Sequence, residues 1–287
     1  MRKHLATLLA AMASMIFAGA EARAENIYVL TNNVDDLNGT VTDFGRIDSV
    51  TGVYSSIASL TGAIGNLTWN PTAGNFFATA ANAATLRTLS TTGTLSNSIG
   101  NIGQTVYGMA YRTADSTIYA YSYSDRTATI DSSNGSWTTL NGSPGLSTNR
   151  LVGGRYSIMN DAIYMAATGS GVGRFGTMGY TASSTFQEIT TNSLYVNMVL
   201  ANDGTTMYGI YGNPTAGLQQ LYTIDVNTGV ATAGAFITGT GLGTFFHGAA
   251  IVPEAIVPEI DPAGMGSVLA LVGGALGLLE RRRRVVA

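Results

Sequence analysis

A repeat with a period in the forties constrains this chain more than any other feature. A hydrophobic-aromatic pair recurs at Ile27-Tyr28, Phe76-Phe77, Ile118-Tyr119, Ile163-Tyr164 and Met207-Tyr208, and the second residues stand 49, 42, 45 and 44 positions apart. A second signature follows each pair. A strand-like run closes in a polar turn at Arg46-Ile47-Asp48-Ser49-Val50-Thr51-Gly52, Thr88-Leu89-Ser90-Thr91-Thr92-Gly93, Thr129-Ile130-Asp131-Ser132-Ser133-Asn134-Gly135 and Thr223-Ile224-Asp225-Val226-Asn227-Thr228-Gly229, with a degenerate copy near Thr177-Met178-Gly179-Tyr180. Units of this length holding about four short strands are the mark of a β-propeller. The expected fold class is all-β, a five-bladed propeller of four-stranded blades. A β-sandwich and a solenoid are the alternatives.

The third unit predicts the blade order most clearly. Tyr107–Tyr111 is the inner strand, Thr117–Ser122 the second, Thr127–Asp131 the third and Ser136–Asn141 the outer one. The first unit starts at a second strand, Asn26–Leu30, and lacks an inner strand. The missing piece stands at the other end, in Phe246–Val252. The two ends therefore share a blade and close the ring, which removes the open sheet edge that invites aggregation. Asp and Gly suit the recurring turns, because Asp caps local amides and Gly takes positive φ. Asp48, Asp131 and Asp225 are accordingly assigned to structure. Paired acids for sugar hydrolysis need to converge on one bond, and equivalent rim turns on successive blades do not.

Both ends of the chain read as targeting segments. Arg2 and Lys3 precede an apolar stretch, Leu5–Ala20, and the small-x-small site Ala22-Arg23-Ala24. This is the pattern of a secretory signal peptide over residues 1–24, so the mature chain is expected to begin at Glu25. An uncleaved anchor is the alternative. The propeller is expected over 25–252 and a linker with a sorting motif over 253–262. An apolar helix follows over 263–280 and a basic tail over 281–287. The apolar run Ala263–Leu279 has seventeen residues, or about 25 Å as a helix, the short end for a bilayer crossing. Its five glycines suit a membrane helix better than a soluble one. Arg281, Arg282, Arg283 and Arg284 mark the cytoplasmic side, which puts the globular part outside the inner membrane. A buried core helix is the alternative for this run.

Val257, Pro258 and Glu259, the glycine-rich span, and the closing Gly277-Leu278-Leu279-Glu280 with its four arginines resemble the PEP-CTERM sorting signal of Gram-negative bacteria. Ile260 stands where that pattern has its second proline. The resemblance covers about thirty residues. It implies an exosortase-type membrane transpeptidase as partner, and an exopolysaccharide or biofilm setting. The implied location is the inner membrane facing the periplasm at first, then the cell surface or extracellular matrix.

Composition narrows the chemistry. Glu25–Pro253 holds twelve acids against seven arginines and no lysine. Nucleic acid needs clustered cations, so it is excluded as a partner. With no cysteine in the chain, disulfides and zinc-thiolate sites are excluded as well. His247 is the only histidine of the mature chain, which leaves one candidate base for a Ser-His-Asp device. Aligning the inner strands on Met109-Ala110-Tyr111 places Asn66, Gly108, Arg155, Asn197 and Gly248 at equivalent ring positions, with His247 one residue earlier. From these, Asn66, Arg155, Asn197 and His247 are the candidate ligand site at the channel entrance, with Tyr107, Tyr156 or Trp69 as a stacking face. Ordinary ring packing is the other reading of the same residues. No cofactor is expected. Calcium is considered only for the oxygen-rich stretch Asn32, Asn33, Asp35, Asp36, Asn38 and Asp43, which has hard ligands but not the spacing of an EF-hand.

The expected role is an exported, envelope- or exopolysaccharide-associated binding or scaffold protein. The alternative is an extracellular propeller-fold glycan hydrolase or lyase, for which convergent acids in the funnel would speak. Asp115, Asp125, Asp161 and Asp203, acids outside the repeated turns, fall in turns between strands in this reading.

Overall fold

The computed structural model describes residues 25–32, 41–80, 84–122, 126–141, 155–169, 172–213, 218–240 and 244–253. The segment expected to be a signal peptide, the expected sorting motif with Val257, Pro258 and Glu259, the apolar run and the four arginines lie outside the described residues. Among those described, no helix is long and apolar enough to cross a membrane.

The described strands form five four-stranded antiparallel sheets, one per repeat. The first blade holds β1 (Asn26–Asn32), β2 (Val41–Asp48) and β3 (Tyr54–Thr61), with the last described strand, β20 (Phe245–Ile251), as its inner strand. The second runs β4 (Ile64–Asn70), β5 (Asn75–Ala80), β6 (Thr85–Leu89) and β7 (Gly100–Asn101). The third is β8 (Val106–Arg112), β9 (Thr117–Ser122), β10 (Thr127–Ile130) and β11 (Trp137–Asn141). The fourth is β12 (Arg155–Met159), β13 (Ala162–Gly169), β14 (Val172–Met178) and β15 (Gln187–Thr191). A 3-10 helix, Ser193–Asn197, then leads into the fifth: β16 (Met198–Asn202), β17 (Met207–Asn213), β18 (Leu218–Ile224) and β19 (Ala231–Phe236). The expected five-bladed propeller is observed, and the third blade matches the sequence reading to within a residue or two. β20 pairs antiparallel with β1, Ile27 opposite Ile251 and Val29 opposite Ala249, so the ends of the chain do share a blade.

The inner strands β20, β4, β8, β12 and β16 pack side by side in a ring. Each blade buries both faces, and the apolar side chains sort into five clusters, one in each gap between blades. Ile27, Val29 and Ile47 meet Val199, Ile210 and Leu221 across the seam between the first and fifth blades. Two-sided burial gives strands near-continuous hydrophobic runs rather than simple alternation.

The recurring polar turns also dock the blades. Asp48 Oδ1 accepts from the amides of Val50 (3.0 Å) and Thr51 (2.8 Å), and Asp131 and Asp225 cap the amides of Ser133 (2.8 Å) and Asn227 (2.9 Å) in the same way. The closing glycines Gly52, Gly135 and Gly229 have φ of 72°, 73° and 67°. Their backbones press on the outer part of the preceding blade. Gly52 abuts Phe236, Gly93 abuts Ala58, Gly135 abuts Gly100, and Gly229 abuts Thr190. In the fourth blade the degenerate turn is held differently, by Asn141 Nδ2 of the preceding blade donating to Ser184 O at 2.9 Å. At the seam the contact becomes a second closure, in which Val53 bridges Thr238 and Tyr54 N donates to Thr238 O at 2.8 Å.

Candidate functional site

Inner strands leave one backbone edge facing the ring centre, and those buried polar groups need partners. Side chains of neighbouring inner strands supply several. Asn66 on β4 is buried, and its Nδ2 donates to Thr79 Oγ1 at 3.0 Å within its blade and to Val106 O at 2.8 Å on β8. Thr68 Oγ1 accepts from Tyr111 N at 2.8 Å. Asn202 on β16 donates to Ser157 Oγ and to Ile158 O (3.0 Å) on β12. β-bulges fall at Gly65, Tyr107 and His247, each just ahead of the ring position that Asn66, Gly108 and Gly248 occupy. A bulge re-aims the following residue toward its neighbour. At Gly248 a Cβ would lie 2.7 Å from Leu67 N, so β20 approaches β4 too closely for any side chain there.

These contacts place the four candidate residues. Asn66 lines a constriction of about 10 Å³ with Met109, Leu200 and Gly248, a space for one water at most. His247 is buried at the β20 bulge. Arg155 opens β12 opposite Ala166. Asn197 ends the 3-10 helix, and hairpin register gives the ring position to Met198, which opens β16. The side chains of Arg155 and Asn197, and that of Tyr156, lie outside the described residues.

The roomier space is at the other end of the channel, where the inner strands finish. A funnel of about 210 Å³ is lined by residues of all five inner strands and the loops that follow them, among them Trp69, Tyr111, Thr113, Ser157, Asn202 and Asp203. It is smaller than a drug-sized pocket of about 300–1,000 Å³. Trp69 is half-buried, with its ring edge-on to Phe76 at 5.0 Å. Tyr111 is half-buried at 5.8 Å from Phe77. Of these residues the sequence reading had singled out Trp69 and Asp203. The others could have been found by noting that β4, β8 and β16 end in four-residue hairpin loops of common register, Asn70 opposite Asn75, Arg112 opposite Thr117 and Asn202 opposite Met207.

The described acids near this face are held by hydrogen bonds and ion pairs. Asp203 is raised by burial, but amide and hydroxyl donors from Thr206 and Thr205, with Tyr208, outweigh that and hold it below the usual carboxylate range. Asp115 is also raised by burial and pulled below that range by Tyr119 Oη and Arg112, each at 2.8 Å. Arg112 Nε donates to Asp161 Oδ1 at 2.7 Å, across the gap between the third and fourth blades. Its guanidinium lies 4.3 Å from the centre of the Tyr180 ring, a cation-π contact. Asn160 and Asp161, at φ of 50° and 58°, form the two-residue turn that aims this carboxylate, as the twist of a type I′ hairpin requires. Every described carboxylate with a resolved shift is lowered: Asp48, Asp115, Asp131, Asp203 and Asp225. A glycosidase acid needs the opposite, a carboxyl kept protonated near neutral pH. Asp125 lies outside the described residues.

Asn33–Asn38 of the oxygen-rich stretch also lie outside the described residues. Asn32 ends β1, and Asp43 accepts from Ser59 Oγ at 2.6 Å. Among the described residues no group of three or more His, Cys, Asp or Glu could hold a metal ion.

No family model and no curated protein matches the chain. Among solved structures it is similar to a chain in the crystal structure of a nidogen/laminin complex, with a TM-score of 0.48 and 11% identity over 79% of this chain and 85% of that one. It is also similar to the calcium-binding protein regucalcin from Agrobacterium tumefaciens, with a TM-score of 0.41 and 18% identity over 62% of this chain and 60% of that one. At such identities a fold is shared by proteins of unrelated function.

Proposed function

We propose that the protein is an exported, envelope- or exopolysaccharide-associated binding or scaffold protein, released from a membrane-inserted precursor by an exosortase-type transpeptidase. The domain layout is a leader over 1–24, the ring, a linker over 253–262, a membrane helix over 263–280 and a basic tail over 281–287. The funnel face is the recognition surface in this reading. The observation that carries binding over catalysis is the state of the carboxylates there. Asp203 and Asp115 are held below the usual carboxylate range by their donors, and Asp161 pairs with Arg112. Arg112, the cation beside the funnel, is neutralised by two carboxylates, which favours neutral, hydroxyl-rich ligands over phosphates or carboxylates. Thr113 offers a hydroxyl, and Trp69 and Tyr111 offer apolar surface.

A glycan array probed with the segment Glu25–Pro253 tests this reading. Binding that falls on substituting Trp69 or Thr113 is expected. Hydrolysis of a glycan without retention of any would replace the binding reading with the enzyme one. Replacing Pro258-Glu259 by Ala-Ala is expected to trap the exported protein in the inner membrane, and unchanged release would remove the transpeptidase. Calcium enters only through the Asn32–Asp43 stretch, and a melting curve unchanged at millimolar calcium removes it.

A further inference from the structure

The seam where the ring closes holds more than paired strands. Glu25, the residue before β1, is tied on both sides of its backbone to one residue of the Asp48 turn. Glu25 N donates to Ser49 Oγ at 2.9 Å, and Ser49 N donates to Glu25 O at 3.0 Å. That turn is the element docked on the fifth blade, where Thr238 N donates to Gly52 O at 3.1 Å. From the fifth blade, Tyr208 packs against the same apolar seam. Its hydroxyl is pushed above the usual phenol range by burial first, then by the Asp203 carboxylate, against the pull of the Thr206 hydroxyl. The Glu25 carboxylate adds to the push, and the Ser49 hydroxyl opposes it. Tyr208 Oη in turn donates toward Asp203 Oδ2 at 3.5 Å. Glu25 and Ser49 thus form a pair within the first blade, beside the seam on which Tyr208 of the fifth blade packs.

We propose that this pair of Glu25 and Ser49 is the seat of the mature N-terminus: the amine left at Glu25 on removal of the leader is captured by Ser49 and firms the turn that docks on the fifth blade. The proposal rests on the reading that the leader ends at Ala24. A peptide nitrogen at Glu25 carries one proton and no charge. A free α-amine carries three protons and a positive charge at neutral pH. Ser49 Oγ accepts a hydrogen bond from one N–H of that amine, and the positive charge strengthens that bond. Cleavage therefore adds an attraction between the start of β1 and the turn that docks on the fifth blade. The precursor, with a neutral peptide there, closes less firmly.

The test uses the chain Glu25–Ala287 in detergent with three N-termini: a free Glu25 amine, an acetylated Glu25, and one retained residue, Ala24. The free amine is expected to melt about 2–4 °C above the other two, the shift that a difference of about 1 kcal/mol gives in a domain of this size. The gap should close in Ser49→Ala and persist in Ser49→Thr, which keeps the hydroxyl. Equal melting of free and acetylated chains, or a gap that survives Ser49→Ala, overturns the seat. The intact mass of the exported protein separates the two ideas. A first residue other than Glu25 defeats the leader reading, whereas a protein that begins at Glu25 and ignores acetylation defeats the seat alone.

Discussion

Phe76 and Phe77 are neighbours in the chain, yet they are buried in different cores. Phe76 lies in the gap between the first and second blades, 5.1 Å from the Tyr28 ring and 5.8 Å from Phe44. Phe77 lies in the gap between the second and third, with Met109 and Ile118. The same split holds for Ile118 and Tyr119, and for Ile163 and Tyr164. Successive side chains on a strand point to opposite faces, and in a ring each face belongs to a different blade gap. The hydrophobic-aromatic pair is therefore one strand gluing two neighbours.

The two rings can be removed separately. Phe76→Ala and Phe77→Ala should each cost about 3–5 kcal/mol, the usual range for deleting a buried ring. Trp69 lies 5.0 Å from Phe76, and Trp137 packs on the cluster that holds Phe77. Phe76→Ala should then shift the emission of Trp69 measured with Trp137→Phe as background, and Phe77→Ala that of Trp137 with Trp69→Phe. Both variants moving the same tryptophan would contradict the two-core assignment.

Asn66 should behave as a latch. Asn66→Ala leaves Val106 O on β8 without its donor and should destabilise the ring by about 1–3 kcal/mol, the cost of a stranded buried polar group. Thr68→Val removes the acceptor of Tyr111 N and should cost about 1 kcal/mol. Urea unfolding measures both. A loss at Asn66 no greater than that of an exposed substitution would show that β4 and β8 hold together without it.

Acid should loosen the rim turns. Asp131 is lowered chiefly by the Ser133 hydroxyl and amide, Asp225 by the Asn227 amide and Asp48 by the Thr51 amide. A depressed carboxyl contributes stability that is complete above its unfolded value, 3.8 here, and is lost as pH falls through the folded value. The melting temperature should hold from neutral pH to about pH 5 and drop below pH 4. The triple variant Asp48→Asn, Asp131→Asn, Asp225→Asn keeps an acceptor oxygen in each turn and should drop less. An acid limb identical to that of the parent would assign acid sensitivity elsewhere.

The repeat made the ring legible because turn and pair recur together in four of five units. The fourth blade was harder. Its turn, held from the preceding blade by Asn141 onto Ser184 O, has no Asp-Gly signature to read. Asn197 ends a 3-10 helix that strand alignment does not reveal, since its cap, the Asn192 side chain accepting from Leu194 N at 3.0 Å, has no strand-like pattern. The latch role of Asn66 depends on a bulge at Gly65 and on a carbonyl forty residues away, neither of which has a local pattern. The funnel escaped for a related reason. Its lining comes from the ends of five strands, and only hairpin register brings those ends to one face.

Tyr195 gives the alkaline counterpart. It stands on the 3-10 helix, fully buried, stacked on Phe175 at 5.1 Å, with its hydroxyl donating to Gly229 O of the fifth-blade turn at 2.7 Å. Burial pushes this phenol up to about 12. The sign is opposite to that of the aspartates. A group whose folded value is raised contributes stability that is complete below its unfolded value, 10.0, and is lost as pH rises toward the folded one. Stability should fall by about 1.4 kcal/mol per pH unit for this residue over that window. Tyr195→Phe should cost about 1 kcal/mol at neutral pH, through the lost bond to Gly229, and yet flatten the alkaline limb. Tyr180, also held near 12 by burial and the Asp161 charge, keeps some slope in that variant. Tyrosinate absorbance that develops in the folded protein at pH 10, with no late step removed by Tyr195→Phe, would show that the Tyr195 hydroxyl is not sealed between the blades.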